Sequence, residues 1–409
     1  MKGLLKTRDT TPNIVKSVGG ARRDIGLLED MYSIEDKSNR YQIIWDLGRR
    51  CSFACTYCPP HRNNKTSPYI KYETLKKTME GIAEYALLYD AFRKKPAKKK
   101  LSFTGGEPTV HPDFFKLLKD IRYEYPDFSR GLTTNGWFGE KVLSQVHAYT
   151  TGGTISYHGE ATKKQKETCI SNAISLRSKY KVNVMFHKDY FKECIDVCEK
   201  LEKNGVDFVP RIIGDEENDE KAIELGYAHR YNREQMKWFR NYWKQKGQNV
   251  TEKGNSQAGL GRPCCGGRCF KADGVDTYFL PSTNFVGWNC MVNWYFLFIN
   301  SEADRVWTHQ TCGVNLDGEV APLGKISEFD KIIDSLEHEL YVHNRIPMIT
   351  CPKTFCGCGM CVTKTSQNIE PMFTKHVVDD LTYEIVSQKE SNWETDLTTK
   401  KVFEELDAI

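Results

Sequence analysis

Between residues 41 and 213 the sequence alternates short apolar, β-rich segments with longer amphipathic helical patterns. The predicted strands are Tyr41–Leu47, Lys100–Thr104, Gly131–Thr134, Gly153–Tyr157, Lys181–Phe186 and Val206–Ile212. The predicted helices between them are Tyr72–Tyr89, Pro112–Glu124, Glu140–His147, Ala161–Lys179 and Tyr190–Asn204. Such alternation with short connections predicts a parallel sheet with right-handed crossovers. Because a closed barrel needs eight units, these units predict an α/β fold with an open, partial (β/α)6 TIM-like barrel.

Cysteines, glycines and polar residues follow these predicted strands at the points where the strands end. In chain order they are Cys51–Cys58, Gly105–Pro108, Thr134–Gly136, His158 with Glu160, His187 and Arg211. The carboxyl ends of parallel strands meet at one edge of such a sheet, and ligands bind there. We therefore expect these residues to line one rim of the barrel.

The chain contains fifteen cysteines, which are unevenly distributed. In a reducing compartment, clustered cysteines bind metals more often than they form disulfides. Three lie between residues 51 and 58, and nine lie between residues 264 and 361. The remaining three are interpreted as buried structural thiols in helical patterns: Cys169, Cys194 and Cys198. The distribution therefore predicts two metal-binding regions.

The first cysteine group has the spacing C-x3-C-x2-C, with Cys51, Cys55 and Cys58 on a loop after the first predicted strand. Three thiolates hold three irons of a 4Fe–4S cubane and leave the fourth iron open for another ligand. A structural zinc site instead uses four closed ligands, and His61 is the nearest candidate for the fourth. The spacing favours the cluster, and zinc is the alternative.

This cysteine spacing, together with the sequence Gly-Gly-Glu-Pro at residues 105–108 after the next strand, resembles the radical S-adenosylmethionine (SAM) superfamily. The resemblance covers residues 40–213. It implies a 4Fe–4S cluster that binds SAM and cleaves it reductively to a 5′-deoxyadenosyl radical. It also implies an electron donor of the flavodoxin or ferredoxin type.

The resemblance further implies roles for individual residues on the rim. It places Tyr57 beside the adenine of SAM, and Gly105, Gly106 and Glu107 at the methionyl amino group, with Pro108 completing the motif. Two adjacent glycines allow the backbone to approach a ligand closely. Further residues expected in the cofactor site are Thr134, Asn135, Ser156, His158 and His187. His158 is also a candidate catalytic residue facing the substrate, with a buried barrel histidine as the alternative interpretation.

Nine cysteines crowd the segment after residue 263. This segment is similar to the C-terminal extensions called SPASM and twitch domains, which bind two and one auxiliary 4Fe–4S clusters respectively. The candidate cluster ligands are Cys269, Cys290, Cys312, Cys351, Cys356, Cys358 and Cys361. The SPASM spacing C-x2-C-x5-C-x3-C does not occur, so one or two auxiliary clusters both fit, and four thiolates would also suit zinc. One of the adjacent pair Cys264 and Cys265 is a candidate catalytic thiol that gives or accepts a hydrogen atom.

The patterns divide the chain into five predicted parts. These are an N-terminal extension (1–40), the partial barrel (41–213), an insertion or linker (214–262), the auxiliary-cluster domain (263–362) and a C-terminal tail (363–409). Helical patterns continue in the second half at Arg233–Lys246 and Glu328–Tyr341. The net charge of +4 gives no reason to expect a nucleic-acid partner. No apolar stretch of about 18 residues is available to span a membrane, and we expect a cytoplasmic location.

Three kinds of function remain open at the level of the sequence. A radical SAM enzyme would oxidise or epimerise a sugar-like or other small polar metabolite, which the polar rim residues His158, Glu160, His187 and Arg211 would suit. Alternatively, it would act as a maturase that crosslinks, epimerises or oxidises a ribosomal peptide. A non-enzymatic zinc or iron–sulfur protein that binds nucleic acid is the alternative of another class. We expect the first, with a small molecule as the substrate.

Overall fold

The computed structural model describes residues 14–16, 40–58, 64–93, 96–213, 231–245, 289–290, 292–309, 321–343, 347–350 and 363–365. The strands are β1 (Ile14–Lys16), β2 (Arg40–Asp46), β3 (Lys98–Thr104), β4 (Phe128–Thr134), β5 (Gly152–His158), β6 (Tyr180–Phe186), β7 (Phe208–Ile212), β8 (Asn289–Cys290), β9 (Phe296–Asn300), β10 (Arg305–Trp307), β11 (Ile349–Thr350) and β12 (Thr363–Thr365). The α-helices are α1 (Tyr72–Arg93), α2 (Phe114–Glu124), α3 (Glu140–Tyr149), α4 (Lys163–Ser175), α5 (Phe191–Lys203), α6 (Arg233–Gln245) and α7 (Phe329–Glu337).

The centre of the fold is a run of parallel strands, β2 to β7, that are neighbours in the sheet in the same order as in the chain. β2 pairs with β3 from Arg40↔Lys98 to Asp46↔Thr104, and parallel pairing continues strand by strand to β7. Helices α1 to α5 come between successive strands. The predicted α/β class with an open parallel sheet is therefore confirmed, and each predicted strand is found with its ends shifted by a few residues.

Alternating burial explains why these segments form strands. In β3, Leu101 and Phe103 are fully buried while their neighbours are more exposed, and Val182 and Val184 repeat the pattern in β6. Side chains of a strand point alternately to opposite faces, so this period places one apolar row in the core. The buried residues of the strands and of the helix faces form one continuous hydrophobic cluster.

The start of α4 shows where local chemistry overrides the helical pattern. The pattern predicts a helix from Ala161, but the structure begins it at Lys163. The Thr162 hydroxyl accepts the Gln165 N–H, and the Gln165 side chain accepts the Thr162 N–H, which is a capping box. Because Thr162 has extended backbone angles, the helix starts after it.

Two strands from the second half of the chain extend this sheet beyond β2. β9 pairs with β2 in parallel, from Gln42↔Phe296 to Asp46↔Asn300, and β10 pairs antiparallel with β9. In the 301–304 turn that joins β9 to β10, Ser301 accepts a hydrogen bond from the Trp45 indole at 2.8 Å and donates its N–H to the Asp46 carbonyl at 3.0 Å. The 301–304 turn therefore lies at the carboxyl end of β2.

Helix α7, also from the second half, packs on α1, and Phe329 makes an especially close contact there. A Cβ atom built on Gly81, in the middle of α1, would lie 2.6 Å from Cγ of Phe329. Phe329 is buried, and its ring also meets Tyr85 edge-on. Because Gly81 has no side chain, the Phe329 ring can pack directly against α1 at this position.

We expect Gly81→Ala to lower the free energy of unfolding by about 1–3 kcal/mol, because the added methyl overpacks this contact. At an unconstrained helical position the same change would stabilise by roughly 1 kcal/mol. Urea denaturation followed by circular dichroism measures the difference. The matched experiment introduces Gly81→Ala into a Phe329→Leu background, where the cost should largely disappear. A stabilising effect of Gly81→Ala in the otherwise unchanged chain would contradict the prediction.

A second, small sheet has the strand order β1-β12-β8-β11. Cys290 is buried in β8 and pairs with Ile349 on one side and Lys364 on the other. Among the described helices, none combines the length and the apolar character that crossing a membrane requires.

Candidate functional site

The three closely spaced cysteines lie on a loop directly after β2, here called the cysteine loop (residues 51–58). The Cys51 N–H donates to the Asn64 carbonyl at 2.9 Å, and the Asn64 N–H donates to the Arg49 carbonyl at the same distance. The Cys58 N–H closes a tight turn on the Cys55 carbonyl at 3.2 Å. All three side chains are thiols outside any disulfide, and all three are half-buried. The backbone thus presents three sulfur donors on one short, internally bonded segment.

Burial governs the protonation of two of these thiols, Cys51 and Cys55. It raises the pKa of Cys51 to about 11 and the pKa of Cys55 to about 12, with neighbouring acidic groups adding to the shift. Without a cation these thiols are protonated at neutral pH. Metal-bound thiols are deprotonated, so the donor set suits a positively charged metal centre. Three thiolates fit a 4Fe–4S cluster with one open iron, whereas a closed structural zinc site needs a fourth ligand.

Gly105 and Gly106 follow β3 and lie against the backbone that leads into the cysteine loop. The Gly106 N–H donates to the Gly48 carbonyl at 2.7 Å. A Cβ atom on Gly106 would stand 2.5 Å from the Arg49 carbonyl oxygen and closer still to that of Arg50, and Gly105 has a φ of +125°. The close approach that the structure shows at these glycines is to the chain's own backbone.

Glu107 is buried and joins the ends of β3 and β4. Its Oε1 accepts hydrogen bonds from the Thr134 hydroxyl at 2.8 Å and the Thr109 hydroxyl at 2.7 Å, and its Oε2 accepts the Asn135 N–H at 2.7 Å. Burial raises the pKa of Glu107, and these hydrogen bonds oppose that rise. A carboxylate has about four acceptor positions, so Oε2 retains capacity for a further donor such as an ammonium group. Pro108 is buried and begins the short 3-10 turn that follows.

Asn135 connects this acidic centre to the cysteine loop. Its side-chain NH2 group donates to the Ser52 hydroxyl at 2.9 Å, and its side-chain oxygen Oδ1 accepts the Trp137 N–H at 2.9 Å. Phe53 of the loop packs against the Trp137 ring with centroids 6.0 Å apart. The sequence reasoning did not single out Ser52. Its position between Cys51 and Cys55 is the sequence signal that points to Ser52. Its partner Asn135 can be identified only from the strand order.

His158, at the end of β5, reaches the cysteine loop from the other side. Its Nδ1 lies 3.5 Å from the Cys55 sulfur and is hydrogen-bonded to the Tyr57 hydroxyl, and the Tyr57 ring stacks on the imidazole. Burial lowers the pKa of His158 to about 4, with Glu160 opposing the shift. The imidazole is therefore neutral at physiological pH. Ser156 lies two residues earlier in the same strand and is half-buried.

Glu160 and His187 complete this side of the rim. The Glu160 carboxylate accepts the Thr56 N–H at 2.8 Å and is also hydrogen-bonded to the Thr56 hydroxyl. His187 Nε2 is 3.6 Å from Glu160 Oε1. Arg211 in β7 donates from Nε to the Asn183 side chain at 3.3 Å. The strand ends from β2 to β6 thus meet around the cysteine loop.

Glu302 in the 301–304 turn binds Arg49, and the sequence patterns do not predict this contact. Its carboxylate accepts the Arg49 backbone N–H at 2.9 Å and the Arg49 Nε–H at 2.6 Å, and it accepts the Ser67 hydroxyl at 2.9 Å. Burial alone would raise the pKa of Glu302, but the hydrogen bonds from Arg49 and Ser67 outweigh it and hold that pKa below its usual range. The second half of the chain therefore fixes the entry to the cysteine loop.

We expect Glu302→Gln to loosen the cysteine loop while the fold is retained. An amide offers one acceptor instead of two carboxylate oxygens, and Arg49 is partly exposed, so the loss of stability should be about 1 kcal/mol. Hydrogen exchange at the Arg49 amide should accelerate, and SAM should bind several-fold more weakly. Glu328→Gln, which removes an exposed pair with Lys331, is the matched control and should change neither. Unchanged exchange at Arg49 in Glu302→Gln would contradict the prediction.

Most of the second cysteine group lies outside the described residues. These predicted ligands and candidate catalytic thiols are Cys264, Cys265, Cys269, Cys312, Cys351, Cys356, Cys358 and Cys361. Cys290 is the member that the structure describes, as a buried thiol in β8. Cys169, Cys194 and Cys198 are buried in helices, as predicted for structural thiols.

Residues 45–225 match the family model described as the radical SAM superfamily. Among curated relatives, a GTP 3′,8-cyclase of Nautilia profundicola is 33% identical over 102 residues, which are 24% of this chain and 28% of that protein. A GTP 3′,8-cyclase of Sulfurimonas denitrificans is 26% identical over 170 residues, covering 38% and 50% respectively. The chain thus spans half or less of the length of these relatives.

Solved structures of low sequence identity also resemble the chain. AnSMEcpe with bound AdoMet is 16% identical and covers 72% of this chain and 80% of its own, with a TM-score of 0.45. SuiB of Streptococcus suis is 13% identical and covers 76% and 70%, with a TM-score of 0.43.

Proposed function

We propose that this chain, whose residues 45–225 match the radical SAM superfamily, abstracts a hydrogen atom from a small polar metabolite. The observation that carries the proposal is the placement of three closely spaced thiols among the strand-end residues Glu107, Asn135 and His158. The superfamily match supports an enzyme built around a 4Fe–4S cluster and SAM. Such a match is not expected of a non-enzymatic nucleic-acid-binding protein.

Cys51, Cys55 and Cys58 would hold the cluster and leave one iron for SAM. The cluster, once bound and reduced, would supply the electron for cleavage of SAM to methionine and a 5′-deoxyadenosyl radical, and the hydrogen atom taken from the substrate would end in 5′-deoxyadenosine. Glu107 is available to accept an ammonium group at Oε2. Tyr57 and neutral His158 present a stacked aromatic surface beside Cys55. The Phe53 ring of the loop packs against the Trp137 ring.

Two features support a small polar substrate. Glu160, His187 and Arg211 bring hydrogen-bonding and charged groups to the rim, which suits hydroxyl groups or anions. The relatives named GTP 3′,8-cyclase match part of the chain, so a purine nucleotide belongs among the first candidates. A ribosomal peptide is the second substrate class. The electron donor would be a flavodoxin or ferredoxin, and the reducing cytoplasm would keep the thiols available.

The test is anaerobic incubation of the iron-reconstituted chain with SAM and dithionite. Liquid chromatography should detect 5′-deoxyadenosine, increased by the correct member of a panel of nucleotides, sugar phosphates and short peptides. Deuterium transferred from the labelled substrate into 5′-deoxyadenosine would identify the abstracted hydrogen. Failure of a fully iron-loaded chain to form 5′-deoxyadenosine under any condition would overturn the proposal. Stimulation by peptides alone would favour the maturase alternative.

The cysteine-rich segment after residue 263 is proposed to hold one or two auxiliary 4Fe–4S clusters. A triple replacement of Cys51, Cys55 and Cys58 by alanine removes the donors of the first cluster only. After reconstitution the triple variant should retain about four or eight irons per chain. Zinc in place of iron in that variant would favour the tetrahedral zinc alternative.

A further inference from the structure

A π-helical turn, His338–Val342, directly follows α7. The His343 N–H donates to the His338 carbonyl at 3.1 Å, which is a bond between residues five apart. In a regular α-helix, residues five apart point in directions roughly 140° apart around the axis. The π turn brings these two positions onto one side. Such turns are rare and occur frequently at functional sites.

The π turn brings three metal-ligand side chains together. The imidazole rings of His338 and His343 meet edge-to-face with centroids 4.5 Å apart. One ring nitrogen from each, together with a carboxylate oxygen of Glu339, lie within 4.8 Å of one another. Both histidines are exposed, and Glu339 is half-buried. None of the three belongs to the strand ends around the cysteine loop.

The backbone that carries these donors is held in place by its neighbours. Leu340 is fully buried between the two histidines in sequence. The Tyr341 hydroxyl donates to the Leu88 carbonyl of α1 at 3.2 Å, and the Tyr341 ring meets Phe92 edge-on. A ligand that binds at the turn therefore needs to order only side chains. Preorganisation of this kind reduces the entropic cost of binding.

We propose that His338, Glu339 and His343 bind a divalent first-row transition-metal ion, with Zn²⁺ as the best fit and water completing its coordination. Two imidazoles and one carboxylate suit zinc, copper or nickel, whereas calcium and magnesium prefer oxygen ligands alone. Three protein ligands plus water is an established zinc arrangement. Bond lengths of about 2.0–2.1 Å require the donors to close to about 3.3 Å apart. Rotation of the exposed side chains supplies that movement.

The test is a Zn²⁺ titration of the iron-reconstituted full chain against a chromophoric chelator. It compares the unchanged chain with the double variant His338→Gln/His343→Gln and with His147→Gln, an exposed histidine at the end of α3. All three keep the same fifteen cysteines, so zinc bound by thiols contributes equally. The unchanged chain and His147→Gln should each bind one more Zn²⁺ than the double variant. Equal stoichiometry in all three would overturn the proposal.

A single variant tests whether a folding defect causes the lower Zn²⁺ stoichiometry of the double variant. Glu339→Gln keeps both imidazoles and should weaken Zn²⁺ binding tenfold or more, with an unchanged melting midpoint in the absence of zinc. Added Zn²⁺ should raise the midpoint of the unchanged chain but not that of the double variant. Zinc affinity unaffected by Glu339→Gln and by the double variant alike would show that the ion binds elsewhere. This proposal does not depend on the radical SAM activity, and the measurements can be made without SAM.

Discussion

Replacing Cys55 with alanine is expected to reduce the formation of 5′-deoxyadenosine from SAM by a factor of about 1,000 or more. Such a factor corresponds to about 4 kcal/mol of lost transition-state stabilisation. The physical reason is that two thiolates cannot retain the cubane with one open iron that the proposed reaction requires. Iron content, the visible absorption of the reconstituted chain and the rate of 5′-deoxyadenosine formation measure the effect together.

The matched control for this prediction is Cys198→Ala. Cys198 is buried in α5, away from the cysteine loop in sequence, and its replacement removes one thiol from the same barrel. We expect it to cost about 1–2 kcal/mol of folding stability, as for a small buried apolar side chain, with no loss of loop-bound iron. Equal iron loss in Cys198→Ala and Cys55→Ala would show that the iron content depends on folding rather than on the loop thiols.

Gly106→Ala is expected to slow 5′-deoxyadenosine formation about 100-fold while the chain remains folded. The new methyl would stand 2.5 Å from the Arg49 carbonyl oxygen and closer still to the Arg50 carbonyl oxygen. Both oxygens belong to the backbone. The backbone cannot rotate away as a flexible side chain would, so the segment before Cys51 must move. A misplacement of about 1 Å at a reacting centre can cost about 100-fold in rate.

Gly139→Ala provides the control for Gly106→Ala. A Cβ atom on Gly139 meets nothing within 4 Å, and its φ of −80° suits any residue. We expect its rate to stay within about twofold of the unchanged chain, since a surface change of this kind is close to neutral. The rate, the SAM dissociation constant and the circular dichroism spectrum separate a local shift from unfolding. An unchanged rate in Gly106→Ala would mean that the loop tolerates the displacement.

Much of the barrel could be predicted because its signals are local. The period-two burial of β3 and β6 is readable from neighbouring residues, as are the helical patterns between strands. The predicted end of α4 shows the limit of this approach. Periodicity extends the helix to Lys179, whereas the structure ends it at Ser175, because Lys179 and Tyr180 both bond back to the Leu176 carbonyl in a turn.

The roles of the site residues were harder to predict. The resemblance implies that Glu107 contacts the cofactor, whereas in the structure its carboxylate accepts hydrogen bonds from Thr134 and Asn135 at the end of the next strand. Gly105 and Gly106 were expected to admit a ligand, and the structure shows them admitting the backbone of residues 48–50. Their direct contacts with SAM remain a prediction. These internal partners depend on the register of β3 against β2 and β4, which spacing along the chain does not encode.

The sequence alone determined the three sulfur donors of the cysteine loop, the succession of strands and helices, and the side of the sheet on which the site lies. Each of these follows from short-range spacing or from the direction of parallel strands. Only the tertiary structure decided what holds the cysteine loop. Glu302 is 253 residues from Arg49 in the chain, and it reaches the loop because β9 pairs beside β2. Such a contact depends on the order of strands across the whole fold, and no local sequence pattern predicts it.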